Sequence, residues 1–374
     1  MTSPTINMRH LLNVRHTIAL LGCLLWAVGP VLAQGKTSND GEAQSVSPAK
    51  VLLEKASEQI QRLLNPPFSF ALIGDQPYNP SQEKALDAIL KELDSRSDIE
   101  WILHVGDIKG GSELCTDGLI KHRLNQLKKT QKALVLVPGD NEWTDCHRDS
   151  NGSFDPQERL TFLRKQVYTK PLTLGKAAFK VRQQTALGFP EHFMWQQGTT
   201  LFVTLNIPGS NNDLVNPSSR GLRDEEVQRL FNIRQQAVDA WLAEAEQLFK
   251  KDDAPTETVI AFQGDPLDGS GTPFSMDRML VRPDGYEPLM KRLVQFAANT
   301  HRPVLIAHGD THRYRWDQPD LSKYGATPEV NALIYRVEGW GHPFTNQWVK
   351  VTVTPGKSKP FLAESILMHA DNPN

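Results

Sequence analysis

The sequence predicts an α/β protein with a mixed sheet flanked by helices, and three observations carry that expectation. Short apolar runs alternate with helix-period stretches, a hairpin signal interrupts the alternation midway, and five of the apolar runs stop at Gly-Asp. With 39% hydrophobic and 22% charged residues in 374, the chain has the composition of an ordinary globular protein with a real core.

In order, Phe68–Ile73 reads as a strand, Ser81–Ser95 as a helix, Trp101–Val105 as a strand, Leu119–Lys129 as a helix and Ala133–Val137 as a strand. A βαβαβ order implies parallel strands joined by crossover helices. Phe193–Trp195 and Leu201–Leu205 flank Gln-Gln-Gly-Thr-Thr, a hairpin signal that brings in antiparallel pairing. Between Leu222 and Lys250, Val227, Leu230, Phe231, Val238, Trp241, Leu242, Ala245, Leu248 and Phe249 share one helical face, predicting a long amphipathic helix. Thr258–Phe262, Val304–Ala307 and Ala332–Val337 follow as strands, and Gln347–Val353 is expected to close the fold. No internal repeat or second linker appears, so residues 51–374 are read as one domain.

Residues 1–33 read as a secretory signal peptide. Arg9 and Arg15 precede an apolar stretch from Thr17 to Val28, and Val31-Leu32-Ala33 supplies a small-residue cleavage site, with Met8 an alternative start. The stretch is short for a membrane span, and nothing later approaches the ~20 apolar residues that one needs. Leu20-Leu21-Gly22-Cys23 resembles a lipobox, so a lipid-anchored Cys23 is the second processing route. Ser- and Gly-rich residues 34–50 read as a linker. The expected destination is periplasmic or extracellular. Loss of the leader takes net charge from −2 to −4, which leaves no electrostatic footprint for nucleic acid. It also leaves Cys115 and Cys146, read as a disulfide in an oxidising compartment, the alternative being two unrelated buried thiols.

The Gly-Asp pairs are Gly74-Asp75, Gly106-Asp107, Gly139-Asp140, Gly264-Asp265 and Gly309-Asp310, where chance placement of these residues would give fewer than two. Ligands in open α/β sheets bind beyond the carboxyl ends of the strands, so five carboxylates are expected to converge on one sheet edge. Each glycine is expected to let the chain turn sharply. Any one pair alone reads as a strand-to-helix turn with Asp as an N-cap. Five together imply a cation, because clustered carboxylates repel one another without one.

On these residues the chain resembles the calcineurin-like metallophosphoesterases, whose signature runs Asp-x-His, Gly-Asp, Gly-Asn-His-Asp/Glu, a His, and Gly-His-x-His. The resemblance spans Phe68 to about Val353 and implies a four-layer α/β/β/α sandwich. It places Asp75 as the first ligand, Asp107 as the carboxylate bridging two metals, Asp140 as the third, and Asp310 and His312 within the last motif. Asn141 stands where the family has the histidine that assists catalysis, Pro77 where the first His belongs, and Asp310 where the first His of the last motif belongs. For the fourth motif, Gln263 and Asp265 are both candidates. Exchanging nitrogen for oxygen ligands favours Mn²⁺, Mg²⁺ or Ca²⁺ over zinc.

The function this implies is exported, metal-dependent hydrolysis of a small phosphorylated substrate at a carboxylate-rich, dinuclear site. The alternative is a non-catalytic metal- or ligand-binding protein on the same fold. With Asn141 in the acid position, protonation of the leaving group needs another donor, and His147, His308 and His342 are candidates. Tyr78, Trp143 and Lys109 flank the carboxylates and are candidate substrate contacts, Lys109 through a phosphate. No Gly-x-Gly-x-x-Gly follows a first strand, which argues against a dinucleotide fold, and Asp75-Gln76-Pro77 lacks the Asp-x-Asp of an aspartyl-phosphate enzyme.

Overall fold

The computed structural model describes residues 64–214, 223–267 and 284–368; the proposed leader 1–33, Cys23, the linker 34–50 and the domain start at Val51 lie outside the described residues. Strands β1 (Phe68–Ile73), β2 (Trp101–His104), β3 (Ala133–Leu136), β11 (Gln347–Val353) and β12 (Phe361–Leu367) form a five-stranded sheet in the order β12-β11-β1-β2-β3. Strands β4 (Arg182–Gln184), β5 (Phe189–Gln197), β6 (Thr200–Thr204), β7 (Glu257–Ala261), β8 (Val304–His308), β9 (Arg315–Asp317) and β10 (Ile334–Glu338) form a seven-stranded sheet, β4-β5-β6-β7-β8-β10-β9. Both are mixed. β1, β2 and β3 pair in parallel while β11 and β12 run antiparallel to their neighbours. β6, β7, β8 and β10 are parallel, flanked by the antiparallel β5 and β9.

The two mixed sheets are those of the expected four-layer sandwich, but Gln347–Val353 does not close the fold. β12 follows it, pairing from Gln347↔Leu367 to Val353↔Phe361. Its alternating burial, with Phe361 and Ala363 inside and Leu362 and Glu364 outside, marks an edge strand, whose mixed polarity gave little signal.

Side-chain alternation explains why two sheets stack. Phe70 and Trp101 on the first sheet stack at 4.5 Å and meet Phe202 on the second at 5.8 and 5.1 Å. On β8, Leu305 and Ala307 join this shared core, while Val304 and Ile306 face the other way. That outer face is covered by helices α4 (Asp224–Leu248) and α5 (Glu287–Thr300) through Val238, Trp241, Leu242, Leu289 and Leu293. The first sheet is covered by α1 (Glu83–Ser95), α2 (Asp117–Leu127) and α3 (Pro156–Val167). Leu86, Ile89, Leu90 and Leu93 of α1 recur at the spacing of one helical face. The result is the helix–sheet–sheet–helix sandwich.

Cys115, in the loop after β2, is bonded to Cys146, in the loop after β3, with a Cα separation of 5.7 Å. Closing a loop of 31 residues in sequence stabilises by about 3–4 kcal/mol in the chain-entropy account. Among the described residues, no helix is long and apolar enough to cross a membrane.

Candidate active site

The parallel strands of both sheets deliver their carboxyl ends to the same end of the sandwich. Asp75, Asp107 and Asp140 follow β1, β2 and β3, and Asp310 follows β8. The two sets meet directly: the Asp310 N–H donates to Asp75 Oδ1 at 3.1 Å, and His312 Nε2 lies 3.8 Å from the same oxygen. Asp75, Asp107 and Asp140 are buried, Asp310 and His312 half-buried.

The glycines have a different role from the one expected. Of the five that precede an aspartate, only Gly106 takes a positive φ, 93°; it is the aspartates that turn left-handed, with φ of 52° at Asp75, 56° at Asp107 and 82° at Asp310. A Cβ on Gly139 would collide with the Asp107 carboxylate, one on Gly309 with Asp75, and one on Gly209 with both Asp140 and Asp310. Glycine is needed because a neighbouring strand's carboxylate occupies the space of the side chain.

Asp107 is the most heavily held. Its Oδ2 accepts from the Tyr78 hydroxyl at 2.8 Å and from Asn141 Nδ2 at 2.8 Å, and its Oδ1 from the Asn141 N–H at 3.2 Å. Tyr78 also lies 3.0 Å from His312 Nε2 and stacks on His342 at 5.4 Å. Burial, then the Asp310 charge, pushes the Asp75 carboxyl well above its ordinary range. Burial and then Asp140 do the same to Asp107. Burial and then Asp310 raise Asp140 to about 6. Burial lowers His312 to about 4, so its imidazole is neutral.

Four of the five Gly-Asp carboxylates converge, and Asp265 does not. Its N–H donates to Asp310 Oδ2 at 3.0 Å, while its side chain turns into a second buried group. There Asp265, His308 and Glu338 lie with ligand atoms within 4.8 Å of one another. Such a trio can hold a cation, but Arg315 already lies 2.8 Å from Asp265 and 3.3 Å from Glu338, with Arg336 4.0 Å from Asp265. Two guanidinium groups supply the charge that a metal would bring. Burial pushes Asp265 up, but His308, the Leu267 N–H and both arginines bring it below the ordinary carboxylate value. Glu338 is raised to about 8 by burial and then by Asp265.

Gln263, the other candidate for the fourth motif, does face the main cluster. Its Nε2 lies 3.4 Å from Asp310 Oδ1 and its Oε1 accepts from the Gly209 N–H.

His308 is not brought to the carboxylates: it is fully buried in the arginine-bound group, its Nδ1 2.9 Å from the Gly309 carbonyl. His147 sits in the disulfide-linked loop with Nδ1 2.7 Å from the Thr144 carbonyl, bordering a cavity of about 560 Å³ with Phe154 and Leu230. His342 stands at the site, its N–H donating to the Asp75 carbonyl at 3.0 Å. Two expected substrate contacts are corrected. Lys109 is buried and donates to the Gly110 carbonyl at 2.9 Å, near Glu142, and Trp143 is buried beneath the Arg234 guanidinium.

Sequence reasoning missed Ser210 and Asp145. The Ser210 hydroxyl lies 2.7 Å from Asp140 Oδ2 and 2.8 Å from Asp145 Oδ1, on a turn where Ser210, Asn211, Asn212 and Asp213 are all left-handed. The run Gly209-Ser-Asn-Asn-Asp213 was the available signal, since Asn and Asp tolerate that conformation.

The calcineurin-like phosphoesterase family model matches residues 68–314. The chain belongs to this family. Like other calcineurin-like phosphoesterases it has two mixed sheets between helices, and its fold is similar to those of several solved structures. GAP50, the anchor in the inner membrane complex of Plasmodium, is 10% identical, with 82% of this chain and 90% of that one covered and a TM-score of 0.42. Purple acid phosphatase PPD1 from yellow lupin seeds is 12% identical over 81% and 52%, with a TM-score of 0.46. The NAD nucleotidase NadN of Haemophilus influenzae is 13% identical over 80% and 49%, with a TM-score of 0.39. The chain spans about half the length of the latter two. Comparison with curated protein sequences gave no match.

Proposed function

We propose that this calcineurin-like phosphoesterase is an exported, metal-dependent hydrolase of small phosphate esters, with residues 1–33 as its leader and residues 51–374 as its domain. The observation that carries this is the meeting of Asp75, Asp107, Asp140 and Asp310 from two sheets, three of them buried and raised by that burial. Two like charges about 4 Å apart repel by about 4 kcal/mol at an effective dielectric near 20. Asp75 Oδ2 is buried without a hydrogen-bond partner, the condition of an oxygen meant for a cation. The residues therefore fit divalent metal: Asp75, Asp107, Asp140, Asp310, Gln263 and His312 would hold two ions, Asp107 shared between them. This donor set is almost wholly oxygen, which favours Mn²⁺, Mg²⁺ or Ca²⁺ over zinc. When bound, such a pair supplies an activated water and neutralises phosphoryl oxygens.

The chain's own residues do the rest. Asn141 and Tyr78 fix the Asp107 carboxylate by donating to it, a holding role that Asn141 can perform and proton donation one that it cannot. His342, packed on Tyr78 at the rim, is placed to protonate a leaving group, and His147 stands further along the disulfide-linked loop. The disulfide supports an oxidising compartment.

The test is turnover of an aryl phosphate and an aryl phosphodiester with Mn²⁺, Mg²⁺, Ca²⁺ or Zn²⁺, alongside metal analysis. Activity should require metal and fall by about 10³-fold or more in Asp107→Asn, the scale of losing a key electrostatic group. Absence of turnover with every metal would leave the second reading, a metal- or ligand-binding protein on this fold, which the replacement of a catalytic imidazole by Asn141 favours.

A further inference from the structure

We propose that Gln82 is a positioning residue for the carboxylate site: its amide grips Tyr78 and His342 together, which holds the Tyr78 hydroxyl on Asp107 and leaves the ring N–H of His342 on Nε2. This rests on the metal-dependent reading above.

Gln82 occupies the position just before α1, where a short polar side chain ordinarily caps the helix by accepting from its first N–H groups. It makes no such bond. Its amide instead spans two loops: Oε1 accepts from the Tyr78 N–H at 2.8 Å, and Nε2 lies 2.5 Å from His342 Nδ1. The two residues joined in this way stack on each other, with ring centroids 5.4 Å apart and planes 21° from parallel.

The orientation of that amide follows from its partners. A main-chain N–H can only donate, so the amide oxygen must face Tyr78 and the amide nitrogen His342. That nitrogen can only donate as well. His342 Nδ1 must therefore accept, and the neutral ring carries its hydrogen on Nε2. Any group that meets His342 at Nε2 meets an N–H donor.

The grip reaches the carboxylates through Tyr78. Its ring also meets His312 edge-on at 5.1 Å, and its hydroxyl donates to Asp107 Oδ2 at 2.8 Å. His342 is held from its other end, its main-chain N–H on the Asp75 carbonyl at 3.0 Å, and a Cβ on the adjoining Gly341 would collide with Asp75. Gln82 thus joins the loop after β1 to the loop after β10, one from each sheet. Partners one step beyond the ligands orient a metal site in this manner.

Nitrogen NMR of His342, assigned by its loss in His342→Asn and recorded on the full-length protein at about pH 9, above the ordinary imidazole range, reads the tautomer directly. Wild type should show hydrogen on Nε2 and a bare Nδ1. Gln82→Glu offers oxygen to both partners, so Nδ1 must then carry a hydrogen. Gln82→Leu offers neither donor nor acceptor, and Mn²⁺ titrated calorimetrically should bind it about tenfold more weakly than wild type, the low end for losing an outer hydrogen-bond partner. Hydrogen on Nδ1 in wild type, an unchanged tautomer in Gln82→Glu, or Mn²⁺ affinity within about twofold of wild type in Gln82→Leu overturns the proposal. A wild type that binds no Mn²⁺ yet shows the Gln82-dependent tautomer supports the grip and instead sinks the metal-dependent reading.

Discussion

Two buried acidic groups lie side by side in this molecule, and they meet the same electrostatic problem in opposite ways. Around Asp75, Asp107 and Asp140 the neighbours are largely other carboxylates, and burial drives all three up. Around Asp265, which ends its strand with the same Gly-Asp, Arg315 and Arg336 approach and the carboxyl falls below its ordinary value. A Gly-Asp strand end therefore identifies where a carboxylate is placed, while the nearest cation decides whether the protein or a metal neutralises it.

The comparison breaks most readily at Arg315. Replacing it with Met strands Asp265 and Glu338 without their nearest guanidinium, and loss of one partner of a buried ion pair costs about 3–5 kcal/mol. Thermal melts in chelator should show a fall of roughly 4–8 °C at this chain size. Divalent metal should restore part of that stability, since the trio then resembles the other cluster. A variant as stable as wild type would show that the arginines are not what balances this group.

A smaller effect separates the clusters by pH. Asp140 is raised to about 6, against about 3.9 in an unfolded chain. The folded state then holds the extra proton, so the contribution is complete below the unfolded value and is lost as pH rises through about 6. Metal-stripped protein should lose on the order of 2–3 kcal/mol between about pH 4 and pH 7, with Asp75 and Asp107 acting in the same direction. Saturating Mn²⁺ should reverse the trend, because coordination requires ionised carboxylates. Melts across that range with and without metal check this; identical slopes would deny the main cluster its cation.

Most strands and the converging aspartates were legible because both depend on local pattern: apolar runs of strand length, and Gly-Asp at their ends. The division into two sheets was legible only through the family resemblance, because pairing such as β1 with β11 joins residues nearly 300 positions apart and leaves no local trace. Asp265 read like its four counterparts because the residues that divert it, Arg315 and Arg336, come from later strands. Lys109 and Trp143 looked exposed by their position beside the motifs, yet the loops fold them inward. Ser210 joins Asp140 only through a left-handed turn whose geometry no periodicity reports.

The glycines carry a consequence for how this protein tolerates change. Gly139 contributes no donor atom, yet the added methyl of Gly139→Ala would press on the Asp107 carboxylate. In a scan of variants scored by retained metal, Gly139→Ala should rank with Asp107→Asn, with metal content below half of wild type while the purified protein still melts cooperatively. Empty volume would then be as intolerant of mutation as charge, and the boundary of the site would be drawn by residues that never touch its contents.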